Sequence, residues 1–89
     1  MSWDDVSFLL GSPLCKKILQ ILKDSKEPLA PLQIAKKTGI ARSNVSTKLG
    51  QLMKRGLVEP VNPEARKWRF YRITAKGARI LNESEKVKI

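Results

Sequence analysis

Residues 31–55 read PLQIAKKTGIARSNVSTKLGQLMKR, and their spacing decides the fold. The stretch fits two short helices joined by a tight turn. Ala35, Gly39 and Val45 stand at relative positions 1, 5 and 11, the spacing of a helix-turn-helix. A small residue at Ala35 lets the second helix cross close over the first. Gly39 accepts the left-handed conformation that ends the first helix. Val45 is expected to point inward and lock the pair. Pro31 opens the first helix, where its missing N–H costs nothing. Ala30 precedes it where a capping Ser or Thr is expected, which weakens that start. A helical hairpin that only packs is the plainer reading, and the charge distribution speaks against it.

The chain carries a net charge of +10 over 89 residues. All of that charge resides in residues 28–82, where 12 bases stand against Glu59 and Glu64 alone. Residues 1–27 and 83–89 are each neutral, and no acid occurs between Glu27 and Glu59. A one-sign field over the middle of a chain is the footprint of a polyanion partner. A helix-turn-helix lays its second helix in the major groove, so the expected partner is double-stranded DNA. The plainer account of the charge is a generally basic, solvated surface.

Size and composition bound the other possibilities. Eighty-nine residues suit one domain, residues 1–89, burying about 60–65% of its unfolded surface. A hydrophobic content of 42% excludes a wholly disordered chain. No apolar run approaches the roughly 18 residues of a membrane span. No secretory signal is visible, so a cytoplasmic location without membrane contact is expected. There is no histidine and Cys15 is the single cysteine, so no metal site of the usual nitrogen and sulfur ligands can be built and none is expected. No phosphate-cradling glycine loop and no nucleophile–base pair occur, so neither an enzyme nor a cofactor is expected. Cys15 reads as a small core residue, with a redox-sensing or dimer-linking thiol as the alternative.

Working outward from residues 31–55, Asp4 to Leu10 reads as a short helical segment. Ser12 and Pro13 read as a cap and first-turn proline. The helix they open should run to about Asp24, with Leu14, Ile18, Ile21 and Leu22 at helical spacing, widened by Cys15 and Leu19. Residues 25–30 read as a connector. The second helix of the pair should begin near Arg42 and stop at Gly56. Val45, Leu49, Leu52 and Met53 form its buried face, and Ser43, Asn44, Thr47, Gln51 and Lys54 lie opposite. Gly50 is an oddity there, costing about 1 kcal/mol relative to alanine. It permits close backbone approach either to DNA or to another helix. Leu57 to Val61 and Lys67 to Ile73 read as two strands around a type I turn at residues 62–65, with Pro63 second. Thr74 caps a last helix over residues 75–87. The fold class expected is mainly α with a small β-hairpin: a winged helix-turn-helix, with the helix-turn-helix at 31–55 and the wing at 57–73.

Three pieces of sequence carry a family resemblance: "IA..TGI", "VS..L..L...GLV" and "YRIT.KG". Over roughly residues 12–82 the chain resembles the winged-helix transcription regulators of the MarR and ArsR type. The run "LV…NPEA+K…YRIT.KG" is similar to small stand-alone archaeal members. The resemblance implies a sequence-specific DNA-binding regulator. On that pattern Arg42, Ser43, Asn44 and Thr47 match positions that read base edges. Arginine can pair with guanine and asparagine with adenine, each through two hydrogen bonds. Ser46, Lys48, Gln51 and Lys54 match positions nearer the phosphates, and Arg66 and Lys67 match the wing. For Ser43 and Ser46 the alternative is local capping, and for Lys54 and Arg55 it is compensation of the helix dipole. Metal sensing of the ArsR kind is not expected without the ligands.

The pattern sends Tyr71 and Ile73 into the core and leaves Trp68 and Phe70 facing outward. Cover from Trp3, Phe8 or a neighbouring helix is one account of that aromatic pair. A dimer or partner surface is another, and contact with unpaired bases a third. A homodimer is expected from the first and last helical segments, because Trp3, Val6, Phe8, Leu9 and Leu10 exceed what so short a segment can hide. Two other functions fit the composition. One is a nonspecific chromatin-like or RNA-binding protein, and the other a winged-helix protein-interaction module.

Overall fold

The chain alternates helices with one antiparallel hairpin, in an order fixed by its caps and stops. The computed structural model describes residues 3–62, 64 and 69–87. Along them run α1 (Trp3–Leu10), α2 (Pro13–Asp24), α3 (Pro31–Thr38), α4 (Arg42–Lys54), β1 (Val58–Pro60), β2 (Tyr71–Ile73) and α5 (Ala75–Lys86). Strands β1 and β2 pair in the register Val58 with Ile73, Glu59 with Arg72 and Pro60 with Tyr71. The helix ends stand close to those expected, and the fold class is the one the sequence indicates.

Helix α2 is the hub, touching α1, α3, α4, α5 and β2. Its Cys15, Ile18, Leu19 and Leu22 are buried. They meet Ile34 of α3, Val45, Leu49 and Leu52 of α4, Leu57, Val58, and Ile80 and Leu81 of α5 in one core. Each such aliphatic side chain contributes about 1.5–3 kcal/mol by leaving water. Cys15 is therefore a core residue, as expected.

Several local expectations need correction. Met53 is 38% exposed rather than buried, because it lies at the margin of the arc defined by Val45, Leu49 and Leu52. Ser12 occupies the N-cap of α2, but its side chain makes no capping bond. The strands are shorter than expected. Pro60 has no N–H to give to a ladder, and beyond it the pairing passes to Val61 N–H and Phe70 O, 2.9 Å apart. The connector 25–30 is not idle. Leu29 and Tyr71 exchange both backbone hydrogen bonds, at 3.0 and 2.8 Å, and add a one-residue rung to the sheet.

The N-terminal apolar surplus is also mostly absorbed within the chain. Val6 and Leu9 are fully buried, and Phe8 and Leu10 pack against the same core. Helix α1 lies on α5 and α2, a partner surface that local sequence does not announce. Trp3 alone in that segment stays well exposed, at 65%.

Helix α1 is also held by charge. The Asp5 carboxylate, 7% exposed, lies 3.1 Å from Arg55 Nη1 and 3.2 Å from Lys76 Nζ. The same Arg55 guanidinium sits over the Phe8 ring, 4.2 Å from its centre. Burial works to raise the Asp5 pKa, but hydrogen bonds and charge from Arg55 and Lys76 outweigh it and hold the carboxyl below its ordinary value. A carboxylate depressed in the folded state stabilises above its unfolded pKa, and that contribution is lost as pH falls through the folded value. Acid unfolding below about pH 4 should therefore lose part of its steepness in Asp5→Asn. At pH 7 the same variant should lose about 1–3 kcal/mol, towards the lower end because both cations reach water. Urea unfolding at pH 7 and pH 3 checks both expectations, and an unchanged acid limb would remove the ion clamp as a source of stability.

Candidate nucleic-acid interface

The turn between α3 and α4 is built by three residues acting together. Gly39 takes φ +76°, ψ +6°, and its N–H donates to Ala35 O at 2.8 Å. The buried Thr38 hydroxyl donates to Ile34 O at 2.7 Å and accepts from Ile40 N–H at 3.2 Å. Lys17 of α2 reaches across to donate to Thr38 O at 2.9 Å. These bonds satisfy the backbone where a helix end otherwise leaves it open. At the other end of α3, Gln33 Oε1 accepts from Ala30 N–H at 2.8 Å. That is one arm of a capping box, and it offsets the missing side-chain cap at Ala30.

Helix α4 buries Val45, Leu49 and Leu52. Its outer surface then carries the exposed Arg42, Ser43, Asn44, Ser46, Thr47, Gln51 and Lys54, with Lys48 half-buried at the flank. The structure thus brings together on one helix all eight of the α4 positions singled out from the sequence. Ala41 is the N-cap and supplies no side-chain bond. Neither Ser43 nor Ser46 uses its hydroxyl to cap the helix, so the first-turn N–H groups keep their partial positive charge. Thr47 Oγ1 donates to Ser43 O at 3.1 Å, which fixes its rotamer and leaves its lone pairs and methyl outward. Gln51 Oε1 stands 4.0 Å from Cys15 Sγ, a weak contact that inclines it towards α2. Lys36 and Lys37, exposed in the last turn of α3, extend the basic surface past the turn; their position beside Thr38 was the available signal.

The end of α4 is fixed by the start of α5. Gly56 takes φ +74°, Leu57 N–H bonds Leu52 O and Gly56 N–H bonds Met53 O, both at 3.0 Å. This is a Schellman closure. The next three carbonyls are then met in turn. Lys76 Nζ donates to Arg55 O at 2.8 Å, Thr74 Oγ1 to Gly56 O at 2.7 Å, and Thr74 N–H to Leu57 O at 3.1 Å. Thr74 Oγ1 also accepts from Gly77 N–H at 2.9 Å, capping α5. Gly77 lets this happen: a Cβ there would collide with the Leu57 carbonyl and come within 2.9 Å of Ile73 Cγ1. The sequence TAKG is thus a bracket that holds α4 by its C-terminus.

The base of the wing is anchored by Asn62, whose Oδ1 accepts from Phe70 N–H at 2.8 Å. Glu59 and Arg72 pair across the hairpin at 2.7 Å on the exposed face. Tyr71 is buried, and Ile73 and Phe70 are half-buried. Arg66, Lys67 and Trp68, and the turn residues Pro63 and Ala65, lie outside the described residues. Among the described residues no group of three or more His, Cys, Asp or Glu could hold a metal ion, and no helix is long and apolar enough to cross a membrane.

A sequence profile described as a helix-turn-helix domain matches residues 10–61, which span α2, the turn, α4 and β1. The chain belongs to the helix-turn-helix domain family. No curated protein matches it in sequence. Among solved structures it is similar to a possible HxlR family transcriptional factor from Thermoplasma volcanium, with 25% identity over 88% of this chain and 70% of that one, TM-score 0.73. It is similar to the PcaV transcriptional regulator of Streptomyces coelicolor, solved with its natural ligand, with 24% identity over 83% of this chain and 52% of that one, TM-score 0.71. It also superposes on a mutant MarR from E. coli complexed with operator DNA, with 18% identity, 93% and 62% coverage, and TM-score 0.71. The fold is the winged helix of these regulators, and the chain spans about half the length of PcaV.

The bracket makes a direct expectation for stability. Gly77→Ala should cost about 1–3 kcal/mol through overpacking against backbone, and Thr74→Ala about 1–2 kcal/mol through loss of a cap. Gly39→Ala, whose Cβ would meet open space, should cost only the left-handed backbone, about 1–2 kcal/mol. Urea denaturation of the three variants checks the set. A neutral Gly77→Ala would mean that α5 is free to lift away from α4.

Proposed function

We propose that the protein is a sequence-specific double-stranded DNA-binding transcription regulator with no catalytic activity, working in the cytoplasm. One observation carries the reading: the surface of α4 away from Val45, Leu49 and Leu52 carries the exposed Arg42, Ser43, Asn44, Ser46, Thr47, Gln51 and Lys54 and no acid. A helix of about 10–12 Å diameter with such a face matches the width of the major groove. The likeness to a MarR protein that holds operator DNA supports the same role.

In this reading Arg42, Ser43, Asn44 and Thr47 meet base edges from the first turns of α4. Arg42 suits guanine O6 and N7, and Asn44 suits adenine N6 and N7. Thr47, with its proton already given to Ser43 O, presents an acceptor and a methyl group, which suit a cytosine amino group or a thymine methyl. Ser46, Lys48, Gln51 and Lys54 lie nearer the phosphates, while Arg66 and Lys67 serve the wing on backbone or minor groove. Two copies would bind half-sites about one helical turn apart. The support for a homodimer is Trp3, a large apolar side chain left exposed on α1 beside chain ends without net charge.

Selection of bound duplexes from a random DNA pool tests the function, and failure to enrich any sequence would overturn it. On the enriched site, Arg42→Ala and Asn44→Ala should each cost about 1–3 kcal/mol and relax preference at one position. Equal losses on random duplex would leave these residues with phosphate contact alone. With about six cations per protomer on phosphate, log affinity should fall against log salt with a slope near −5. A flat response would favour a protein-interaction module. Sedimentation at micromolar concentration should give a dimer that Trp3→Ala weakens, and a monomeric full chain would refute it.

A further inference from the structure

Gly50 lies in the middle of α4 and has no internal reason to be glycine. Its φ is not positive, since Gly39 and Gly56 are the positive-φ glycines of the chain. Among the described residues a Cβ built on it would meet nothing within 4 Å, so no described helix needs the space. The helix runs through it without a break from Arg42 to Lys54. A glycine at such a position destabilises a helix by about 1 kcal/mol relative to alanine. Among the described residues nothing recovers that loss.

The place of Gly50 on the helix says what lies outside. At 100° per residue it points within about 20° of Ser43, with Lys54 and Thr47 beyond Ser43 at about 40° and 60°. It therefore lies on the polar, acid-free face, half-buried and about 130° round from the mean direction of Val45, Leu49 and Leu52. A missing side chain there lets a rigid body approach the helix backbone itself. The face carries cations and no acids, so the body it fits is a polyanion.

We infer that Gly50 is where the backbone of α4 comes against the DNA, and that its missing side chain sets how deeply the helix seats in the groove. The inference rests on the reading of α4 as the groove helix. With Cα as the contact surface, the first-turn residues Arg42, Ser43 and Asn44 reach base edges. A methyl group at 50 wedges the helix outward and lifts those side chains away from the bases.

The test is a pair of effects of opposite sign. Gly50→Ala should raise Tm by roughly 3–8 °C, as a helix-interior glycine replacement does in a domain of this size. It should also weaken binding to the selected duplex by about tenfold or more, the order of an intruding methyl group in a packed contact. Gly50→Leu should weaken it further. The slope of log affinity against log salt should stay parallel to that of the parent chain, because no charge changes. A purely structural glycine would move stability and affinity together or leave affinity alone. If the parent chain selects a duplex and Gly50→Ala binds it as tightly, the inference is overturned while the DNA-binding reading stands. If the parent chain selects no duplex, both fall.

Discussion

Three consecutive carbonyls at the end of α4 govern much of this structure. Arg55, Gly56 and Leu57 leave the helix pointing their oxygens towards the start of α5, and the Thr74–Gly77 segment answers each of them. Unanswered, the carbonyl of the buried Leu57 would cost about 1–3 kcal/mol, while those of Arg55 and Gly56 would turn to water. Answered, they turn two helices far apart in sequence into one rigid corner. The wing departs from that corner and returns to it, because β1 begins one residue after Leu57 and β2 ends one residue before Thr74. The close approach of Gly77 to Leu57 then sets the distance between the helices.

The two ends of α4 are treated differently, and the difference has physical sense. Its C-terminus is closed by backbone bonds, by Lys76, and by the ion clamp in which Asp5 holds both Arg55 and Lys76. Its N-terminus is left open, with Ala41 supplying no side-chain cap. An uncapped helix start keeps N–H donors and positive potential available to an anion. Stability is therefore concentrated away from the surface proposed to meet DNA. A polar cap there would satisfy donors that a phosphate or base could use.

Much of this architecture was legible in the sequence. Ala35, Gly39 and Val45 gave the helix-turn-helix because their roles are local, and Gly56 marked the end of α4 for the same reason. The α4 face was legible because helical period assigns faces without knowledge of neighbours. Other features depend on distant partners. Asp5 finds Arg55 fifty residues away, and the apolar residues of α1 find α5, so a short segment that looked oversupplied with hydrophobic surface hides most of it. The Leu29 rung is made of backbone bonds alone, which no side-chain pattern signals. Met53 went astray because one side chain at the margin of an arc is decided by the neighbours present. Asp5 did carry a local hint, an acid beside Val6 in an apolar segment, where a lone charge is costly unless paired.

The Leu29–Tyr71 rung has a consequence for how the chain reaches its native state. Helices α2, α3 and α4 meet through short connections, so their docking requires little search. The rung instead closes a loop of about 40 residues, whose ends must meet before its two hydrogen bonds offset the entropy lost. Contacts of high sequence separation slow folding more than they weaken the product. The helix-turn-helix can therefore assemble ahead of the contacts that span more of the chain, the Leu29–Tyr71 rung and the still longer-range docking of α1 on α5.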